Sequence, residues 1–192
     1  MKKPIFYFLL ASFVSFAALV TPAVAQTRDH LTPKEVELVQ DTQLLDKRIE
    51  VFIRAIERRL MVMNGTEAAN AKQLKKEAEF WGDLPKGTRA DLLGDIAGIL
   101  DEAITNIDDV SGHDDKNPLL AKSVRRLAAE ATQLRDQLLP LREQAKSEEE
   151  LASLEHLLEN GQSIIDATSK LAPTLPDVKG KKKKTDKPKE DN

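Results

Sequence analysis

Apolar residues recur every three or four positions through most of this chain, and this spacing restricts the fold more than any other feature of the sequence. The first run starts at Thr32-Pro33-Lys34-Glu35 and stops at Asn64-Gly65. Its start reads as a capping box, in which Thr32 and Glu35 each satisfy a free backbone N–H, with Pro33 at the first helical position. Gly65 suits the left-handed conformation that ends helices. The 31 residues between cap and stop predict one helix of ~46 Å, with a stripe at Leu38, Leu45, Ile49, Phe52, Ile56, Leu60 and Met63.

Four more helices are predicted by the same signals of cap, stripe and stop. They are a helix over 67–81 capped by Thr66, one capped by Thr88-Arg89-Ala90-Asp91 that reaches Val110, one starting at Asn117-Pro118 and kinked at Pro140, and one from the Ser147-Glu148-Glu149-Glu150 box to about Leu171.

A helix with an apolar stripe must bury that stripe against a neighbour, and the first helix carries a second apolar line about 80° around from the first. Two lines require at least two neighbouring helices, and short connections favour antiparallel packing. The predicted fold is therefore all-α, an up-and-down bundle of four to five amphipathic helices. The adjacent aromatics Phe80 and Trp81 are expected to seal one end of its core.

The N-terminal segment has the order of a cleavable signal peptide. Lys2 and Lys3 precede a 16-residue apolar run from Ile5 to Val20, and Ala23-Val24-Ala25 follows as a small-x-small site. This order predicts export with cleavage after Ala25, because the apolar run is shorter than the ~20 residues that a spanning helix needs. The short positive region is of the bacterial type, which places the product in the periplasm or outside the cell.

The C-terminal segment differs in composition from the predicted bundle at 26–172. Residues 173–192 carry 7 Lys and 4 acidic residues, with Lys181, Lys182, Lys183 and Lys184 consecutive. Burial of so few apolar groups cannot compensate for the conformational entropy that the segment would lose on folding. A disordered basic tail is therefore predicted. It is a solubilising end, a tether to an anionic envelope surface, or a non-specific binder of nucleic acid, against which export and the acidic body argue.

Composition and motifs exclude several kinds of site. The chain has no Cys, which removes disulfides, thiolate metal sites and a Cys nucleophile. Beyond the leader the aromatics are Phe52, Phe80 and Trp81, too few for a base-stacking platform, so no specific nucleic-acid binding is expected. No nucleophile elbow, phosphate loop or HExxH motif occurs. The expectation is a non-enzymatic protein without a cofactor.

The most unusual local feature is an acidic stretch from Asp91 to Asp115 without Lys or Arg. Helical spacing places four acids on one side of the third helix, with two glycines in the same polar half that let another group approach the backbone. This side is either a docking face for a cationic partner or an ordinary solvated face. Its residues are Asp91, Gly94, Asp95, Gly98, Glu102 and Asp109.

The end of this stretch also raises the possibility of a calcium site. Asp108, Asp109, Asp114 and Asp115 supply carboxylates around a predicted loop at 111–116. The spacing fails the EF-hand pattern, which requires Gly at position 6 and Glu at position 12.

Arg48 and Arg59 lie near the angle between the two apolar lines of the first helix, together with Asp41. They either line an anion-binding cleft or pack the aliphatic part of their side chains over the core with the guanidinium groups in water. If they are buried they need acidic partners, for which Glu102 and Glu130 are the candidates.

These features predict an exported, non-enzymatic helical bundle that acts through contacts with a protein partner in the cell envelope or periplasm. The alternative is a bundle that binds a small ligand or divalent cation through the acidic 91–115 segment or the Arg48/Arg59 face.

Overall fold

The computed structural model describes residues 29–171, so the predicted leader (1–25) and basic tail (173–192) lie outside the described residues. Within 29–171 the regular elements are all helical, which confirms the predicted all-α bundle. This part of the chain holds six α-helices instead of four or five. They are α1 (Pro33–Asp41), α2 (Leu45–Met63), α3 (Ala71–Trp81), α4 (Arg89–His113), α5 (Leu120–Leu138) and α6 (Glu148–Thr168), with a 3-10 helix (Leu139–Gln144) between the last two.

Four of these helices build the core. α2, α4, α5 and α6 pack on one another, α1 lies on α2, and α3 lies on α1. The stripe residues Ile49, Phe52 and Ile56 of α2 are fully buried, as their spacing predicts. α3 buries none of its residues, so it is a peripheral element.

The single first helix predicted over 33–63 is wrong, because the chain leaves the helical path between α1 and α2. The Thr42 hydroxyl donates to the Leu38 carbonyl at 2.7 Å, and Arg48 Nε donates to the Thr42 carbonyl at 2.9 Å. An unbroken helix would hold Glu35 and Arg59 ~36 Å apart at 1.5 Å per residue. In the structure Arg59 Nη2 lies 2.7 Å from Glu35 Oε2. The break therefore lets α1 fold back onto α2 and bury this ion pair.

The predicted helix starts are confirmed where a side chain caps the backbone. Thr32 with Glu35, and Thr88 with Asp91, form reciprocal capping boxes. Ser147 Oγ accepts from the Glu150 N–H at 3.1 Å, but the Glu150 carboxylate accepts from the Lys146 N–H at 3.0 Å, so the predicted box at Ser147 is formed only in part.

Other boundaries differ from the predicted ones. The helix expected over 67–81 begins only at Ala71, after turns at 67–70, and the fourth begins at Leu120. The predicted kink at Pro140 is a full stop of α5 at Leu138, followed by the 3-10 helix. A proline at this place removes an N–H and its ring opposes the preceding helical turn.

The aromatic seal predicted at the end of the core is wrong. Phe80 is 63% exposed at the end of α3. Trp81 is partly buried and contacts the core edge, with the Arg58 guanidinium 5.5 Å above its ring. Since α3 packs only at the periphery, Phe80 has no core to close.

Candidate functional site

A buried ionic cluster joins α1, α2 and α4, and Arg59 lies at its centre with 1% of its side chain exposed. Arg59 Nη1 and Nη2 donate to the two carboxylate oxygens of Glu35 at 2.8 and 2.7 Å, a bidentate pair. The same nitrogens also donate to the Ala55 carbonyl at 2.9 Å and the His30 carbonyl at 2.6 Å. Paired geometry of this kind gives the strongest hydrogen bonds that a guanidinium forms with carboxylate.

Glu35 has two roles in the fold, although its sequence context indicates only one. Its side chain is fully buried and accepts from the Thr32 N–H at 2.9 Å, which closes the capping box of α1. It also accepts from Arg58 Nε at 3.2 Å, in addition to the two bonds from Arg59. One carboxylate therefore starts a helix and neutralises two buried guanidinium groups in part.

Asp95 of α4 supplies the second negative charge of this cluster. It is 4% exposed, and its Oδ2 lies 3.6 Å from Arg59 Nε. Two carboxylates and two guanidinium groups have no net charge, which limits the penalty for removing them from water.

Arg58 fastens the turn between α3 and α4. Its Nη2 donates to the carbonyls of Trp81 (3.2 Å), Gly82 (3.2 Å) and Asp83 (2.6 Å), while the guanidinium covers the Trp81 ring. Burial lowers the pKa of Arg58 from its ordinary value, and the Glu35 carboxylate opposes that effect. A guanidinium still keeps its proton in proteins, so Arg58 acts here as a fixed donor.

His30 occupies the space that Gly98 leaves open on α4. A Cβ at Gly98 would lie 2.8 Å from His30 Cγ. The ring nitrogen Nε2 of His30 lies 2.8 Å from Glu102 Oε2. The close approach to a helical backbone expected at this glycine is therefore made by the segment that precedes α1.

The predicted acidic face of α4 is divided, because two sides of this helix are covered. Asp95 turns inward to Arg59, and Glu102 is engaged by His30. The outward position predicted for Asp95 is thus wrong. The six predicted partner-binding residues end up in four environments: Asp91 in the capping box, Asp95 buried, Gly98 and Glu102 beneath His30, and Gly94 and Asp109 at the surface.

Arg48 and Arg59, predicted to share an anion-binding cleft, have separate internal partners. Arg48 donates to the Thr42 carbonyl and, at 2.9 Å, to Asn106 Oδ1. Arg59 is buried with Glu35 and Asp95, so its guanidinium group neither faces an open cleft nor is exposed to water. Both sequence interpretations of Arg59 are therefore corrected, and its partners are not Glu102 or Glu130.

The four carboxylates proposed for calcium do not converge. α4 continues through the predicted loop to His113, which separates the acids before and after its end. Among residues 29–171, no group of three or more His, Cys, Asp or Glu side chains is arranged to hold a metal ion. Asp108, Asp109, Asp114 and Asp115 are all exposed.

Two more carboxylates, both facing the contact between α2 and α5, have shifted pKa values. Lys122 Nζ lies 2.5 Å from Asp46 Oδ2, and this hydrogen bond lowers the pKa of Asp46. Burial raises the pKa of Glu130, and repulsion from Glu57 adds to the rise. Arg126, 3.9 Å from Glu130, acts in the opposite direction.

An open groove lies where the C-terminal ends of α4 and α6 meet the start of α5. Its volume is about 350 Å³. The apolar lining comes from Ile107, Leu120, Val124, Ile164 and Leu171, with Asp108, Ser111, Asp115, Lys116 and Asn117 among the residues at the polar side. We call this the end groove.

Sequence reasoning missed the partners of the buried cluster, although one signal was available. Asp95 is the sole charged residue in the apolar stretch Leu92–Leu100, and a lone carboxylate in such a stretch indicates a buried, paired acid. No signal of this kind marks the end groove, because its walls join the α4–α5 segment 107–124 to residues 164–171, which lie much later in the sequence.

Comparisons with family models, with curated proteins and with solved structures find no match to this chain. Among the described residues, no helix is both long and apolar enough to cross a membrane.

Proposed function

We propose that this chain is an exported, non-enzymatic helical bundle that acts by contact with another protein in the cell envelope or periplasm. The end groove is the observation that carries this proposal. An apolar floor with acidic groups at its edge suits a protein segment that presents an apolar side chain next to basic ones. Asp108 and Asp115 supply the attraction, and Ile107 and Ile164 supply part of the apolar surface.

The charged residues of the buried ionic cluster have a structural role, although their residue types could also serve catalysis or ligand binding. Arg58 and Arg59 donate hydrogen bonds to the Glu35 carboxylate and to backbone carbonyls. Such a cluster positions α1, α2 and the turn before α4. In the described part of the chain no observation favours the small-ligand or divalent-cation alternative over this reading.

Export is the second part of the proposal, and it depends on the order of residues in the leader. Mass spectrometry of the protein recovered separately from the periplasmic, cytosolic and membrane fractions of the producing cell tests it. We expect a mature N-terminus at Gln26. Recovery of the intact chain from Met1, in cytosol or membrane, would contradict export.

Partner contact is tested by site-specific photo-crosslinking in those cells. A photoreactive residue at Ala121, which lines the end groove, is compared with one at Gln133, an exposed position further along α5. We expect a discrete adduct from position 121 alone, and its loss on charge reversal at Asp108 and Asp115. Equal adducts from both positions, or an adduct indifferent to the reversal, would refute the end groove as the contact surface.

A further inference from the structure

We propose that residues 172–192 of this same chain dock in the end groove and compete there with the partner. The docking itself stands on the groove and the sequence of that segment. The competition rests on the proposed function.

The point at which the described chain stops favours this occupant. Leu171 is itself a lining residue of the end groove, so the following segment starts at the groove. Val178 lies seven residues further on and can be at most ~25 Å from Leu171 at full extension. A tether this short holds the segment near the groove at an effective concentration on the order of millimolar.

The chemistry of the segment matches the two parts of the groove. Leu175 and Val178 are its two large apolar side chains, and the consecutive lysines 181–184 follow three residues after Val178. An apolar anchor followed by cations fits an apolar floor with Asp108 and Asp115 at its edge. Asp109 and Asp114, both exposed, add negative charge next to these two.

The segment has a net positive charge, and the bundle carries its acidic groups near the groove. Residues 173–192 hold 7 Lys against 4 acids. From Asp91 to Asp115 the chain has no Lys or Arg, so Lys116 is the first cation that opposes the attraction. Contacts between exposed charges weaken as salt shortens the Debye length, and the docking must therefore weaken with salt.

A nitroxide label on the tail tests the docking directly. The protein tested is the chain from Gln26 to Asn192. Because the chain has no Cys, Thr185→Cys provides a single attachment site for the label. We expect selective paramagnetic broadening of amide signals at Asp108 and Asp115 and none at Lys72 of α3. The broadening should fade between about 0.1 M and about 1 M NaCl, where the Debye length falls from ~10 Å to ~3 Å.

Matched variants separate specific docking from a loosely sampling tail. Asp108→Asn with Asp115→Asn should abolish the selective broadening, while Glu79→Gln with Glu143→Gln, which removes two exposed acids elsewhere, should leave it unchanged. Leu175→Ser with Val178→Ser should also abolish it. Uniform weak broadening over the whole surface, or the same pattern in all variants, would overturn the docking.

Occupancy of the end groove by the chain's own tail is measured with a synthetic peptide of residues 172–192 as the probe. It is titrated into the parent chain and into the variant with lysines 181–184 replaced by Gln. If the tail fills the groove ~90% of the time, the variant should bind the peptide about tenfold more tightly. Equal affinities would overturn cis occupancy. A failed search for a partner protein would refute the proposed function and leave these tail measurements unaffected.

Discussion

Glu35→Gln is the substitution that most directly tests the role of the buried ionic cluster. It keeps the shape of the side chain but removes the charge opposite Arg58 and Arg59, each 1% exposed. The amide nitrogen that replaces one oxygen is a donor facing other donors.

The expected loss follows from leaving buried cations without their partner. Removing one member of a buried ion pair reduces the free energy of unfolding by ~3–5 kcal/mol. A domain near this size loses about 2–4 °C of melting temperature per kcal/mol, so we expect a fall of roughly 6–20 °C. That is a large part of a typical total stability of ~5–15 kcal/mol.

Thermal unfolding followed by circular dichroism measures the effect, and Glu37→Gln is the matched control. Glu37 lies on the same helix, exposed, with Lys34 as its surface partner, and exposed pairs contribute at most ~1 kcal/mol. If Glu35→Gln and Glu37→Gln melted at the same temperature, the cluster would not stabilise the fold and the reasoning would fail.

Four further predictions concern α4 and the contact between α2 and α5. Gly94→Ala should stabilise the protein by ~0.5–1 kcal/mol, because Ala is the better helix former and the nearest side-chain atom is 4.0 Å from the new Cβ. Gly98→Ala should instead destabilise it, since its Cβ must displace His30; equal urea midpoints for the two variants would contradict this. The pKa of Asp46 is lowered in the folded protein. Its stabilising effect is therefore complete above the ordinary pKa of ~3.9 and is lost as the pH falls below that value. In Asp46→Asn, the free energy of unfolding should consequently depend less steeply on pH in this acidic range. The pKa of Glu130 is raised, so its effect on stability has the opposite pH dependence: the free energy of unfolding falls as the pH rises above ~4.3. Glu130→Gln should therefore be more stable than the parent near pH 7 and similar to it near pH 4.

Local chemistry explains why several helix boundaries were predicted correctly. Thr32, Thr88 and Ser147 cap their helices through backbone groups within three residues. Pro140 also acts locally, although it ends α5 where the sequence predicted only a kink. No distant part of the chain is needed for these effects.

The break between α1 and α2 is a case where a distant contact decides the local structure. The sequence from Pro33 to Met63 satisfies the helical pattern throughout, and Thr42 carries no strong stop signal. The buried pairing of Glu35 with Arg59 requires the break, because a straight helix keeps the two residues far apart. A preference of a few tenths of a kcal/mol for a continuous helix at one residue is smaller than the ~3–5 kcal/mol that it would cost to leave a buried charge of this cluster without its partner.

Local patterns in the sequence predicted the all-α class, the amphipathic faces and the three capped helix starts at Thr32, Thr88 and Ser147, because each depends on residues a few positions apart. The packing of the helices on one another turns Asp95 inward, sets His30 against Gly98 and brings three helix ends together around a groove. Those outcomes depend on which faces meet across the bundle, and a one-dimensional pattern does not specify the rotation of one helix against another.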